Sequence, residues 1–269
     1  MAIMAILILV AIFAPWISPY DPYDQDLTQR LKPPLSANLN GGHYWLGTDQ
    51  VGRDVLSRLI HGSRISLLVG MTVVPMSLVL GSTLGLISGY RGGITDEIIM
   101  RLVDIQMAIP FTVLALAVLA VFGPSLVNLI LVLGITGWVN YAKLIRGEVL
   151  SVRKREFISS AQAIGCSHLR IIIRHILPNV GSVLIVWSTL AFPRVIMSEA
   201  GLSFLGLGIQ PPAPSWGGML SNGRDFVWTA WWLSVFSGLA ISVTVLGSNL
   251  LGDWLRDILD PRQQYIREG

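Results

Sequence analysis

"EFISSAQAIGCSHLRIIIRHILPN", residues 156–179, interrupts a chain that is otherwise mostly apolar. It carries His168, Arg170, Arg174 and His175, with a glycine near its centre. Phe157, Ala161 and Ile164 stand at i, i+4 and i+7, one face of a short helix. Gly165 suits the left-handed conformation that ends a helix. Ser167 is a candidate N-cap for a second helix. In that helix Leu169, Ile172, Ile173 and Ile176 form an apolar stripe, with Arg170 and Arg174 on another face. Pro178 leads into the next apolar run. The stretch predicts helix, glycine turn, helix. Such a motif can lie flat on a lipid surface, or it can offer its apolar face to the groove of a partner protein. The pattern alone leaves both open.

The surroundings of this stretch are those of a membrane protein. The 269 residues are 52% hydrophobic and only 13% charged, with a mean hydropathy of +0.63. An ordinary soluble domain is about 25% charged. The net charge of +3 is too small for a nucleic-acid footprint. The single Cys166 forms no intrachain disulfide. Charge-free runs cover Met1 to Ile17, Ile65 to Tyr90, Ile105 to Ala142, Ile176 to Pro193 and Phe226 to Gly252. The third is too long for one span, and Gly123-Pro124 divides it. A bilayer core of about 30 Å takes roughly 20 apolar residues per helix. Six spans are expected, near 1–17, 65–90, 97–122, 125–147, 177–198 and 230–254, in an all-α polytopic membrane protein. Pro75 and Pro110 are tolerated in such helices. The first run lacks a basic leader and has Pro15-Trp16 where a signal peptide would be cut, so it reads as a transmembrane helix.

Charge sets the expected orientation. With the N-terminus inside, the inner side receives twelve of the 19 basic residues: Arg91, Arg101, Lys143, Arg146, Arg153, Lys154, Arg155, Arg170, Arg174, Arg256, Arg262 and Arg267. The outer side receives Arg30, Lys32, Arg53, Arg58, Arg64, Arg194 and Arg224. This obeys the positive-inside rule and places the opening stretch in the cytoplasm. The expected organisation is a first span at 1–17 and an extracytoplasmic loop with an amphipathic helix at 18–64. A five-helix core follows at 65–258, containing a cytoplasmic loop at 151–176, and then a cytoplasmic tail at 259–269.

The opening stretch resembles the cytoplasmic loop of permease subunits in ABC importers. That family's pattern is Glu-Ala-Ala, three residues, Gly, nine residues, Ile-x-Leu-Pro. Here Ser159-Ser160-Ala161 stands at the first positions, Gly165 at the glycine, His175 at the isoleucine and Leu177-Pro178 at the end. Serine thus replaces the glutamate and the first alanine. "LGTDQVGRDVLSRLIHGSRISL" (46–67), "EAGLSFLGLGIQPPAPSWGGML" (199–220) and "NLLGDWLRDILDP" (249–261) extend the resemblance over nearly the whole chain. Together they are similar to the C-type permease of the dipeptide, oligopeptide and nickel branch, whose members usually carry a basic tail ahead of the first span.

The resemblance implies a type I ABC importer permease fold in the bacterial plasma (inner) membrane, with both termini cytoplasmic. It implies a heterodimer with a second permease subunit, two ATP-binding subunits, an extracytoplasmic substrate-binding protein and surrounding membrane lipid. It implies that Phe157, Ser159, Ser160, Ala161, Gly165, Leu169, Arg170, Ile173 and Arg174 engage an ATP-binding subunit. The cargo implied is a di- or oligopeptide, with nickel or another small solute as the alternative. No cofactor is expected.

The residues fit a non-catalytic subunit. A phosphate-binding loop needs a lysine after glycine, yet the three lysines, Lys32, Lys143 and Lys154, follow none. The four histidines lack metalloprotease spacing. Between Asp21 and Arg64, Thr48 or Asp49 is expected to cap a helix with Val51, Val55, Leu59 and Gly62 on one face. That helix is either a platform for the binding protein or an interfacial lead into span two. The glycines and prolines of 199–218 rule out one long helix there. Glu97 and Arg101 at i, i+4 are expected to pair locally, with Asp104 close by. Asn128, Asn140 and Asn249 are candidates for inter-helix bonds or for lining a pathway. A self-contained channel or secondary carrier is the competing class, and its mark would be a charged or broken-helix site at mid-membrane.

Overall fold

Lipid offers no hydrogen-bond partner to a peptide group, so the apolar runs fold as helices that satisfy their own backbones. The computed structural model describes residues 1–39 and 41–259. Its helices are α1 (Ala2–Ile17), α2 (Val55–Arg91), α3 (Gly93–Ala108), α4 (Phe111–Phe122), α5 (Leu126–Val152), α6 (Glu156–Ala163), α7 (His168–Ile171), α8 (Leu177–Phe204), α9 (Trp216–Gly223) and α10 (Trp232–Leu259). A small antiparallel hairpin, β1 (Ser36–Ala37) and β2 (His43–Tyr44), lies in the loop before α2. Four helical segments are long and apolar enough to cross a membrane, five if α3 and α4 count as one bent span, and α1 is a shorter apolar helix. The chain is an all-α polytopic membrane protein, in keeping with the expected spans. The part of the expected tail from Asp260 onward lies outside the described residues.

Three boundaries differ from expectation for physical reasons. The amphipathic helix before span two is the start of α2 itself, which runs unbroken past residue 64 and past Pro75. Its cap is Asp54, which accepts from the Ser57 backbone N–H at 2.7 Å. Thr48 and Asp49 instead organise the preceding loop, where Asp49 pairs with Arg53 at 2.6 Å. The span expected at 97–122 is two helices bent by 84°. Pro110 forces the residue before it out of the helical region, and Ile109 is extended. The fifth span runs to Phe204, so Arg194 and Glu199 lie within the helix rather than at its end.

The centre of the bundle is the α2–α5 contact. Ser77, Gly81, Gly85 and Gly89 recur every fourth residue on one face of α2. A Cβ on Gly81 would stand 2.3 Å from the Trp138 carbonyl oxygen, and one on Gly85 2.7 Å from that of Ala142. The two backbones approach because these positions are small, the usual device of membrane helices. Ser77 adds a bond to the Gly134 carbonyl at 2.9 Å. Polar ties hold α3 to α5. Arg146 grips Asp96 through two 2.6 Å bonds, and Lys143 stands 3.4 Å from Asp104. The acids of α3 thus pair across to α5; among the described residues no ion pair joins Glu97 to Arg101. Gln106 accepts from Trp138 Nε1 and donates to the Thr136 carbonyl, each at 2.8 Å. Asn128 closes the α4–α5 turn by donating to the Phe122 and Gly123 carbonyls.

Candidate functional site

The 156–176 element is anchored from beneath. Ile158 and Ala161 of α6, Ile171 of α7, and Ile176 are buried in one cluster with Leu86, Tyr90, Ile145 and Val149 of α2 and α5. The Tyr90 hydroxyl and His168 Nδ1 are hydrogen-bonded at 2.8 Å. The Arg153 guanidinium lies 6.0 Å from the Tyr90 ring centre. The turn between the helices has the expected chemistry. Gly165 sits at φ +79°. Its N–H donates to the Gln162 carbonyl, and the Cys166 N–H donates to that of Ala161. This pair of bonds closes a Schellman motif. Ser167 caps α7 by accepting from the Arg170 N–H at 3.4 Å.

The faces are divided differently from the expected stripe. Among the candidate residues only Ala161 turns inward. Phe157 is 39% exposed, Ile164 80%, Leu169 66% and Ile173 55%, so four large apolar side chains face outward together with Ser159, Ser160, Arg170 and Arg174. The inward positions are the neighbours Ile158 and Ile171, which the spacing argument passed over. Residues Ile172–Ile176 form a π turn, with the Leu177 N–H bonding to the Ile172 carbonyl. That extra residue per turn shifts the register, so no single stripe runs from α7 into α8. The result is a firmly held keel with an uncovered apolar and basic upper face.

A second feature lies in the middle of the bundle. The break between α3 and α4 opens onto a cavity of about 340 Å³, walled also by α2, α5 and α8. That volume falls within the ~300–1,000 Å³ of small-molecule sites. Its wall is mostly apolar, with Asn140, Ser198 and Arg194 among its polar members. The break was not legible as a broken span in the sequence, although Ile109-Pro110 was its signal.

The far end of the bundle is closed by a compact cap. Arg58, buried on α2, donates to the Pro22 carbonyl at 3.0 Å and stands 3.5 Å from Asp49. Trp216 Nε1 donates to the Leu59 carbonyl, and Trp232 Nε1 to that of Thr48. Glu199 is buried on α8 and accepts from Ser203 Oγ at 2.7 Å. In the irregular stretch after Gly206, Gly208, Ile209, Pro214 and Ser215 are buried, whereas Gln210, Pro211 and Pro212 are exposed.

A bundle of apolar helices with an anchored helix-turn-helix at one end and a cavity at a broken span is the architecture of a membrane transport protein. Its fold is similar to a chain of the methionine ABC transporter MetNI in an inward-facing conformation, with a TM-score of 0.63 and 17% identity over 76% of this chain and 96% of that one. Residues 81–265 match the family described as "Binding-protein-dependent transport system inner membrane component", and the chain belongs to that family. Residues 1–34 match the N-terminal TM domain of oligopeptide transport permease C. The chain is 43% identical to the di/tripeptide transport system permease protein DppC of Pseudomonas aeruginosa, over 96% of this chain and 86% of that protein. It is 47% identical to the dipeptide permease DppC of Escherichia coli K12, over 96% and 86%. It is 39% identical to the oligopeptide permease OppC of Bacillus subtilis, over 97% and 83%.

Proposed function

We propose that this chain is one half of a heterodimeric permease that imports di- and oligopeptides, energised by two ATP-binding subunits and loaded by an extracytoplasmic binding protein. The observation that carries it is the outward face of Phe157, Ile164, Leu169 and Ile173, flanked by Arg170 and Arg174, on helices whose other side is fixed in the core. Exposed apolar patches of this kind mark protein contacts. A face bolted to α2, α5 and α8 transmits a push, whereas a loop lying on lipid would not need such an anchor. The peptide relatives support the cargo. The missing phosphate-binding lysine supports an energy supply from other subunits. In the bacterial plasma membrane the 156–176 end faces the cytoplasm, as do both termini, and the capped end with Arg58 and Trp216 faces outward. ATP-driven closure of the partners shifts the bundle between inward-open and outward-open packings.

The test uses the chain purified alone and with its partners in proteoliposomes. Alone it should hydrolyse no ATP; with the partner subunits and binding protein, hydrolysis and uptake of a labelled dipeptide should appear. ATP turnover by this chain alone, contaminants excluded, overturns the reading. The broken span beside a cavity favours a second reading, a self-contained carrier. Dipeptide accumulation without any ATP-binding subunit would select it.

A further inference from the structure

Charged side chains within membrane spans are rare, and where they occur they are normally paired. Arg194 is a departure. It lies ten residues before the end of α8 and lines the cavity at the α3–α4 break. Among the described residues no carboxylate lies within 4.0 Å of it; the ion pairs of this chain are made elsewhere. Among the described residues it stands over the face of Trp187, 5.2 Å from the guanidinium carbon to the ring centre. A cation–π contact of this kind holds the guanidinium over the ring and occupies none of the five N–H donors.

Arg194 is also the one charged residue among those lining the cavity. Asn140 and Ser198 are neutral, and the walls beside them include Ile109, Phe111 and Val195. Other polar groups of the wall are already used within the bundle. Gln106 is bonded to Trp138 and Thr136, Tyr141 donates to Ser188, and Ser77 to Gly134. Among the described residues the cavity therefore carries a single fixed positive charge, no negative one and mostly apolar walls. A planar guanidinium with free donors matches a carboxylate through two parallel bonds.

We propose that Arg194 receives the C-terminal carboxylate of a short peptide as it crosses the cavity. The ring of Trp187 holds the guanidinium in place while its N–H groups take the carboxylate, and the apolar walls accept the peptide's side chains. The inference deepens the peptide-import reading and rests on it.

The experiment uses the complete transporter in proteoliposomes, with wild type, Arg194→Ala and Arg194→Lys. Two cargoes are compared, labelled dialanine and its C-terminal amide, and each variant's rate is divided by the wild-type rate for the same cargo, so the binding protein's own preference cancels. Arg194→Ala should lower uptake of the free acid about tenfold or more, the scale of a lost charged hydrogen bond, and that of the amide by less than about twofold. Arg194→Lys should recover part of the free-acid rate, since it restores charge without the fork. Co-purification of the second permease chain and the ATP-binding subunits should be unchanged. Equal losses for the two cargoes, or loss of the second permease chain, would show that Arg194 pairs with a partner's carboxylate, and the inference falls. A wild-type transporter that takes up no peptide at all fails the import reading itself, a result distinct from either.

Discussion

α6 and α9 are helices of the same length that flank α8 in the chain, and they treat apolar surface in opposite ways. α9 is consumed within the chain. Trp216 and Met219 are buried, Trp216 bonds to the Leu59 carbonyl, and a Cβ on Gly217 would stand 2.6 Å from the Ala200 Cα. α6, the adjoining α7 and the π turn after it bury Ile158, Ala161 and Ile171 but leave Phe157, Leu169 and Ile173 uncovered. Both lie near a glycine in the left-handed region that closes a Schellman motif, Gly165 after α6 and Gly206 after α8. Turn chemistry is thus shared, while the fate of the outer face is not. α9 is buried by its own chain, whereas α6 and α7 present the surface of something that closes against a neighbour.

The largest effect should come from breaking the self-contained end. Trp216→Ala removes a fully buried aromatic side chain and leaves the Leu59 carbonyl without its donor, a change that costs on the order of 3–5 kcal/mol. Its membrane abundance, read by immunoblot, should fall severalfold. Normal abundance would show that α9 is not a structural cap.

Gly165→Val should behave otherwise. A left-handed valine costs about 1–2 kcal/mol locally, and a Cβ there meets no neighbour within 4 Å, so the penalty is chiefly backbone strain. Abundance should stay near normal, while dipeptide uptake is abolished and retention of the ATP-binding subunits weakens, because α6 and α7 then meet at the wrong angle. Normal uptake with normal retention would leave the element as a lipid-lying loop.

The double change Leu169→Ser with Ile173→Ser touches exposed side chains and should alter stability by no more than about 0.5 kcal/mol. ATP-binding subunits should nonetheless co-purify less well. Unchanged retention would move the partner contact elsewhere on the chain.

The smallest perturbation sharpens the comparison by topology. In a Cys166→Ser background, cysteines at Trp228, 97% exposed, and Ile164, 80% exposed, test the two ends. An impermeant thiol reagent given to cells with the outer barrier opened should label position 228 and spare position 164. The reverse pattern inverts the orientation.

Local chemistry made much of this legible from residues alone. Charge-free length marks a span, Gly165 marks a left-handed turn, Ser167 marks a cap, and Gly123-Pro124 divides an apolar run too long for one span. Each depends on a few adjacent residues and on the dielectric of lipid, so the sequence by itself determined the membrane class, the position of most apolar helices and the helix-turn-helix. Face assignment was different. Phe157-Ile158 and Ile172-Ile173 are apolar neighbours on different sides of their helices, and periodicity has no ground for preferring one member of each pair. Packing against Leu86, Ile145 and Val149 chose Ile158, and the π turn at 172–176 moved the register that a regular helix would have kept. The salt bridges followed the same rule. Glu97 and Arg101 satisfied the local spacing, yet the acids that found partners, Asp96 and Asp104, found them on α5. Ser77, Gly81, Gly85 and Gly89 acquire their role only from the approach of α5. The cavity, the broken span and the unpaired Arg194 within it required residues from five helices to come together. Tertiary structure alone decided them, because a one-dimensional pattern records which side chains are apolar or charged, and a pocket depends on which backbones meet.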